Sequence, residues 1–195
     1  MYRILLYHDV VDGDDNASGF PGAGAAQYKL DLRDFISHLD ALAETKVPLA
    51  MLSSVTEDTA AKYPDGDGFL LTFDDGGVSA ATSIADSLER LHWRAHFFVT
   101  TDYIGVAGFM TASQIRELDR CRHVIGSHSC SHPSRMSACT SSQLLGEWSR
   151  SIATLSDILG KAVTVASVPG GYYSPRVAQT PLNQALNISL LRSRQ

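Results

Sequence analysis

Short runs of apolar residues alternate with amphipathic stretches along the chain, and this alternation predicts strands and helices. Apolar runs typical of buried strands occur at residues 4–7, 69–73, 97–99, 123–126, 163–165 and 188–191. Apolar positions at helical spacing predict helices over residues 32–43, 79–91, 112–120, 141–159 and 175–186. This β–α–β order is typical of an α/β fold with a parallel sheet, either open or closed into a barrel.

Two of these helices are preceded by a capping signal. Asp31 has the character of an N-cap residue for the helix that begins at residue 32. Thr111 and Gln114 have the spacing of a capping box, which predicts a helix that continues through Arg120.

The composition excludes several classes of protein. The chain has 195 residues, of which 44% are hydrophobic, and its net charge is −5, so a wholly disordered chain is excluded. A net negative charge gives no support to nucleic-acid binding, and no run approaches the roughly 18 apolar residues that span a bilayer. We expect a single domain over residues 1–195, and no obligate protein partner is evident.

The N-terminal residues and the cysteines bear on localisation. The first apolar stretch is ended by His8 and Asp9, so it is too short for a signal peptide, although a chain trimmed of its leader would look the same. Three cysteines without a CxxC pair favour reduced thiols over disulfides. We therefore expect a cytoplasmic protein.

Two adjacent carboxylates follow the predicted strand at residues 69–73. Asp74 and Asp75 end this strand where two glycines let the backbone turn. Ligands bind at the carboxyl ends of strands in α/β folds, and successive strand residues face opposite ways, so the two acids can serve different partners. The alternative is an Asp–Gly turn with solvated acids.

Two histidines four residues apart follow the predicted strand at residues 123–126. His128 and His132 can converge on one metal ion, since imidazole nitrogens with a carboxylate oxygen are a common ligand set for zinc and related ions. The alternative is two unrelated polar residues. With Asp74 and Asp75, the histidines would provide a metal site and a general base. These are the groups that metal-assisted hydrolysis of an acyl or amide bond requires.

These residues resemble the motifs of the polysaccharide deacetylase family, the NodB-homology domain of carbohydrate esterase family 4. The segment Thr72-Phe-Asp-Asp-Gly76 is similar to its first motif, and His128-Ser-x-x-His132-Pro133 is similar to its second. The segments Leu6-Tyr-His-Asp-Val10 and Pro169-Gly-Gly171 also agree with the family pattern. The resemblance covers about residues 1–191.

The resemblance implies a distorted (β/α) barrel that removes N-acetyl groups from an amino-sugar carbohydrate. It implies Asp74 as the catalytic base and Asp75, His128 and His132 as ligands of a divalent metal ion, usually zinc. It also implies that Pro169, Gly170 and Gly171 line the substrate pocket, with a backbone N–H near Gly170 that stabilises the oxyanion.

The sequence departs from the family pattern at two places. Ser167 stands where many members have an arginine that holds the base, and Gly170 replaces an aromatic residue; Arg176 could substitute, although a surface position is the simpler interpretation. The pattern also has a late histidine as general acid, supported by an aspartate, but no His follows His132 and no Asp follows Asp157. We therefore expect the barrel to lack its last strand or strands at the C-terminal end.

Another histidine could replace the missing acid. His8, at the end of the first predicted strand, is the candidate for a substitute acid or substrate contact, and a structural strand-end histidine is its alternative. His96 is expected inside the sheet. His38, His92 and His123 are expected on surfaces, and Cys130 is expected to be a buried, inert thiol.

The sequence thus predicts a metal-dependent deacetylase in which Asp74 activates water at the metal. Two alternatives stay open: a catalytically impaired relative that binds metal or carbohydrate without turnover, and a hydrolase of a small-molecule amide.

Overall fold

The computed structural model describes residues 2–52, 68–172, 174–177 and 189–191. Its strands are β1 (Tyr2–Tyr7), β2 (Asp9–Val11), β3 (Lys29–Asp31), β4 (Gly68–Phe73), β5 (His96–Val99), β6 (Val124–Ser127), β7 (Val165–Ser167) and β8 (Ser189–Leu191). Its helices are α1 (Ala23–Ala26), α2 (Leu32–Glu44), α3 (Ser83–Arg90), α4 (Ala112–Arg120) and α5 (Ser141–Leu159). Short 3-10 turns cover Val78–Ala81, Thr101–Tyr103, Met136–Ala138 and Pro169–Gly171.

One parallel sheet organises the described part of the chain. Its six strands lie in the order β1, β4, β5, β6, β7 and β8, and β2 and β3 form a separate parallel pair. Because every pairing in the large sheet is parallel, its strands all end at the same edge. Residues that directly follow β1, β4, β6 and β7 therefore share that edge, as the predicted α/β arrangement requires.

Local signals in the sequence account for the helix boundaries. The carboxylate of Asp31 accepts a 2.8 Å hydrogen bond from the Arg33 N–H, as an N-cap does. The capping box of Thr111 and Gln114 has both of its hydrogen bonds, and α4 ends at Arg120 as predicted. The longest helix, α5, has the predicted bounds and begins with a second capping box, at Thr140.

An aromatic stack supports the edge of the sheet where the predicted site residues lie. Phe73, the last residue of β4, stacks on Tyr7 of β1 and on Phe97 of β5, with ring centroids 5.4 and 5.1 Å apart. Phe73 and Phe97 are buried in the core, and Phe35 of α2 packs edge-on against the Phe73 ring. This packing fixes the strand positions directly beneath Asp74.

One predicted strand is displaced in the structure, and one predicted helix is divided. The strand predicted at residues 163–165 is found at Val165–Ser167, because the Val163 N–H still donates to the Ser156 hydroxyl at the end of α5. The helix predicted at residues 79–91 is divided into a 3-10 turn and α3, because Thr82 has a non-helical backbone conformation. Most of the helix predicted at residues 175–186 lies outside the described residues, and the single domain over residues 1–195 stays a prediction.

His123 is also corrected, since it is buried and not on a surface. Its Nδ1 accepts a 3.1 Å hydrogen bond from the Ala95 N–H, and burial lowers its pKa to about 4. His96 lies inside the sheet, as predicted, and is fully buried. Within the part of the chain that the structure describes, no helix combines the length and the apolar character needed to cross a membrane.

Candidate active site

Three predicted metal ligands meet at the edge of the sheet where the parallel strands end. The ligand atoms of Asp75, His128 and His132 all lie within 4.8 Å of one another. Oδ1 of Asp75 lies 3.4 Å from Nε2 of His128 and 3.3 Å from Nε2 of His132. Two ligands in a tetrahedral zinc site, each about 2.1 Å from the ion, are about 3.4 Å apart. Oδ1 of Asp75 therefore lies at this spacing from the Nε2 atom of each histidine.

The backbone is strained at these same residues. Asp75, Ser129 and His132 have left-handed conformations, with φ of 74°, 64° and 54°. Such values are uncommon for residues other than glycine, and strained residues cluster at functional sites. Gly76 continues the turn at φ 87°, and a Cβ there would lie 3.1 Å from the Val99 side chain. The fold thus holds unfavourable conformations where the candidate ligands lie.

His128 is held in one orientation by a hydrogen bond on the side of its ring away from Asp75. Its Nδ1 lies 3.1 Å from the Ser167 carbonyl oxygen, to which it donates. This bond leaves Nε2 without a proton and directed at Asp75, which is the arrangement of a histidine ligand. Burial lowers the pKa of His128 to about 4, so the imidazole is neutral at pH 7.

The turn between the two histidines is fixed by Glu147 of α5. One carboxylate oxygen of Glu147 accepts 2.9 Å hydrogen bonds from the N–H groups of Cys130 and Ser131, and the other accepts from the Ser131 hydroxyl at 2.8 Å. The His132 N–H donates to the Ser129 hydroxyl. Sequence reasoning missed Glu147, because no spacing or motif connects it with the histidines. Cys130 is buried, as predicted.

The two adjacent aspartates differ in their electrostatic environments. Burial raises the pKa of Asp74 to about 7. Burial also acts to raise the pKa of Asp75, but the close approach of His132 and the electrostatic attraction of the surrounding histidines outweigh it, so that pKa is lowered. Two carboxyl groups with pKa values moved in opposite directions are suited to different chemical roles.

Asp74 is anchored on one oxygen and open on the other. The Ser167 hydroxyl donates a 2.9 Å hydrogen bond to Oδ2 of Asp74. Among the described residues, Oδ1 of Asp74 has no hydrogen-bond partner although it is buried. Ser167 therefore contacts Asp74, the candidate base, which an arginine contacts in the family pattern. Arg176 donates to the carbonyls of Ser137 and Cys139 at an exposed position, in agreement with its predicted surface role.

His8 lies at the same edge of the sheet as Asp74. It directly follows β1, the neighbour of β4, and the Asp74 N–H donates to the Tyr7 carbonyl at 3.0 Å. A positive charge on His8 would act to lower the pKa values of both Asp74 and Asp75. Its ring contacts Tyr28, with centroids 5.1 Å apart. The structure places His8 beside the cluster, and its role as an acid stays a prediction.

The glycine-rich segment Pro169–Gly171 forms a 3-10 turn two residues after Ser167. Pro169 is buried and both glycines are exposed. The Gly171 N–H donates to the Val168 carbonyl at 3.1 Å, so it is already used. Of the two glycine N–H groups, the one of Gly170 stays the candidate oxyanion donor, as predicted.

Three solved structures are similar in fold to this chain. The Streptococcus pyogenes deacetylase PplD, in complex with acetate, matches with a TM-score of 0.77 and 17% identity over 94% of this chain and 80% of that one. IcaB from Ammonifex degensii matches with a TM-score of 0.76 and 23% identity over 94% and 80%. A de-N-acetylase from Aggregatibacter actinomycetemcomitans matches with a TM-score of 0.76 and 17% identity over 93% and 84%. These likenesses confirm the predicted barrel type of the fold.

Sequence comparisons bear on the family. No curated protein sequence matches this chain. The family model described as polysaccharide deacetylase matches residues 61–186, which is more than half of the chain and includes both motifs. The chain therefore belongs to the polysaccharide deacetylase family, hydrolases that act on carbon–nitrogen bonds, as the motif resemblance predicted.

Proposed function

We propose that this protein is a metal-dependent deacetylase that removes N-acetyl groups from an amino-sugar carbohydrate. Asp74 is the general base, and Asp75, His128 and His132 bind a divalent ion, for which zinc is our assignment. The observation that carries the proposal is the pairing of a three-residue ligand cluster with an adjacent carboxyl group whose pKa is about 7.

The ligand cluster fits a divalent ion in its chemistry as well as its spacing. Oδ1 of Asp75 is buried and, among the described residues, accepts no hydrogen bond. A buried acceptor without a donor is costly, and a cation would remove this cost. Two imidazole nitrogens with one carboxylate oxygen are a ligand set that suits zinc. A bound ion would polarise the acetyl carbonyl and make a nearby water more acidic.

Each remaining residue has a separate part in the reaction. Oδ1 of Asp74 accepts a proton as the water oxygen attacks the acetyl carbon, while Ser167 holds Oδ2. The Gly170 N–H donates to the developing oxyanion. His8 donates a proton to the amine nitrogen as the carbon–nitrogen bond breaks, and acetate and a free amine are released.

The comparisons support hydrolysis of an acetyl group. The similar PplD structure was determined with acetate, which is the product expected here. An N-acetylated carbohydrate is the substrate class that family membership favours. Cytoplasmic localisation stays a prediction from the sequence.

Acetate release from N-acetylated chito-oligosaccharides tests the proposal. The zinc-loaded protein is expected to release acetate, and Asp74→Asn is expected to lower kcat by about 10²- to 10⁴-fold without loss of the metal. Asp102→Asn, at an exposed acid that pairs with Arg150, is the matched control and should behave as wild type. Undiminished release by Asp74→Asn would contradict the base assignment. If acetate is released from a small acetylated amine but not from the oligosaccharide, the substrate is a small-molecule amide and not a carbohydrate.

A further inference from the structure

A buried carboxylate outside the catalytic cluster joins three segments of the chain. Asp9, the first residue of β2, is 2% exposed. Its Oδ1 accepts hydrogen bonds from the Ser18 hydroxyl at 2.6 Å and from the Ser79 hydroxyl at 2.8 Å. In turn, the Ser18 hydroxyl accepts from the Ser79 N–H, and the Ser79 hydroxyl accepts from the Val10 N–H. We call Asp9, Ser18 and Ser79 the Asp9 network.

The Asp9 network is closely enclosed by backbone on two sides. A Cβ on Gly19 would lie 1.8 Å from Oδ2 of Asp9, and a Cβ on Gly77 would lie 1.9 Å from Oδ1. Glycine is required at both positions, since a larger residue would displace the carboxylate. The carboxylate thus lies between the segment of residues 12–22 and the turn that follows Asp75.

The segment of residues 12–22 brings an aromatic ring to a candidate metal ligand. Phe20 directly follows Gly19, and its ring packs on His132 with centroids 5.2 Å apart. The Phe20 ring also packs on Tyr103 and Phe109, with centroids 4.8 and 5.1 Å away. Phe20 therefore belongs to a cluster of aromatic rings and is the member that packs on His132.

The same segment is held from its other side by Lys29. The Lys29 ammonium donates to the carbonyls of Ser18 and Phe20 at 2.6 and 2.7 Å, and also to the carbonyl of Asp15. The Gly19 N–H donates to the Gly108 carbonyl at 2.8 Å. These bonds set the path of the backbone, while the Asp9 network ties it to the turn after Asp75.

The two histidine ligands differ in how they are supported. The His128 side chain is 1% exposed and has a hydrogen bond to the Ser167 carbonyl, whereas the His132 side chain is 25% exposed. Groups around a histidine ligand fix the orientation of its ring and change the metal affinity by about 10- to 100-fold. The ring of Phe20 is in the position to restrict the imidazole of His132.

We propose that Asp9 is a positioning residue of the metal centre, which holds residues 12–22 so that Phe20 orients His132 for metal binding. Asp9 acts through Phe20 and contacts neither the ion nor the substrate. The inference rests on the metal site of the proposed function.

Zinc affinity, measured by competition with a chelator, tests this inference. Phe20→Ala and Asp9→Ala are each expected to weaken zinc binding by about 10- to 100-fold. Asp9→Asn should bind zinc nearly as tightly as wild type, because its amide oxygen can accept both hydroxyl hydrogen bonds. Asp12→Ala, an exposed acid of the same segment, is the matched control and should leave the affinity unchanged.

The double variant shows whether Asp9 acts through Phe20. Asp9→Ala with Phe20→Ala should bind zinc no more weakly than Phe20→Ala alone, and multiplied losses would overturn the inference. Wild-type affinity in Phe20→Ala would overturn it as well. If Asp9→Ala does not fold, as judged by thermal unfolding of the metal-free protein, Ser18→Ala takes its place, since it removes one hydroxyl and keeps the carboxylate. Absence of zinc binding by wild type would instead be a failure of the proposed metal site.

Discussion

Ser167 contacts both Asp74 and His128, the first through its side chain and the second through its backbone. Its hydroxyl donates to Oδ2 of Asp74 at 2.9 Å, and its carbonyl accepts from Nδ1 of His128 at 3.1 Å. One residue of β7 thus orients the candidate base and a candidate ligand together. A serine adds no positive charge beside Asp74, in contrast to the arginine of the family pattern, and so lets burial keep the pKa of Asp74 at about 7.

Removal of the Ser167 hydroxyl should slow catalysis without loss of the metal. Ser167→Ala leaves the carbonyl that holds His128 but removes the donor to Asp74. A hydrogen bond to a charged group contributes about 1.5–3 kcal/mol, so kcat should fall by about 10- to 160-fold. Ser167→Thr keeps a hydroxyl and is the matched control. Acetate release and zinc content are measured together, and an unchanged kcat in Ser167→Ala would show that this bond has no catalytic part.

The acid role of His8 predicts a dependence on the leaving group. His8→Ala should lower kcat for an N-acetylated sugar by about 10²- to 10⁴-fold, because an amine must be protonated as it leaves. An acetyl ester of 4-nitrophenol needs no such proton and should lose much less. His92→Ala, at an exposed histidine, is the control. Equal losses with both substrates would rule out proton donation by His8.

The buried, neutral state of His96 predicts that the folded protein is less stable at acid pH. Its Nε2 accepts a hydrogen bond from the Leu52 N–H and its Nδ1 lies 3.1 Å from the Leu71 carbonyl, so the buried ring is neutral. Burial lowers its pKa from 6.5 to about 4. Between these values the unfolded chain binds a proton that the folded chain does not. The contribution of His96 is therefore complete above pH 6.5 and is lost as pH falls toward 4.

Urea unfolding at several pH values measures this effect. With the metal removed, the free energy of unfolding of His96→Gln should fall less steeply below pH 6.5 than that of wild type, by up to about 1.4 kcal/mol per pH unit. Parallel pH profiles for the two proteins would contradict the assignment of acid sensitivity to His96. The other buried histidines are common to both proteins and cancel in the comparison.

Much of this site was predictable because its signals are local. Asp75, His128 and His132 each follow a strand, and parallel strands bring their carboxyl ends to one edge. The capping box at Thr111 likewise depends on residues three positions apart. Such features need only the chain's own spacing.

The contacts that support the site were not predictable in this way. Ser167 and Asp74 are 93 residues apart, and Ser79 and Asp9 are 70 apart. These pairs meet only when the strands adopt their final register and curvature. The burial of His123 likewise depends on the approach of the Ala95 N–H. These groups are brought together by tertiary packing, which no pattern along the chain records.

Return of zinc to the metal-free protein tests the central claim most directly. Acetate release from an N-acetylated chito-oligosaccharide is followed as zinc is added to wild type, Asp75→Ala and His128→Ala. We expect no release without metal, a rise that saturates at about one ion per wild-type chain, and neither activity nor bound zinc in the two variants. Full activity of the metal-free protein, or wild-type zinc content in both variants, would contradict the account.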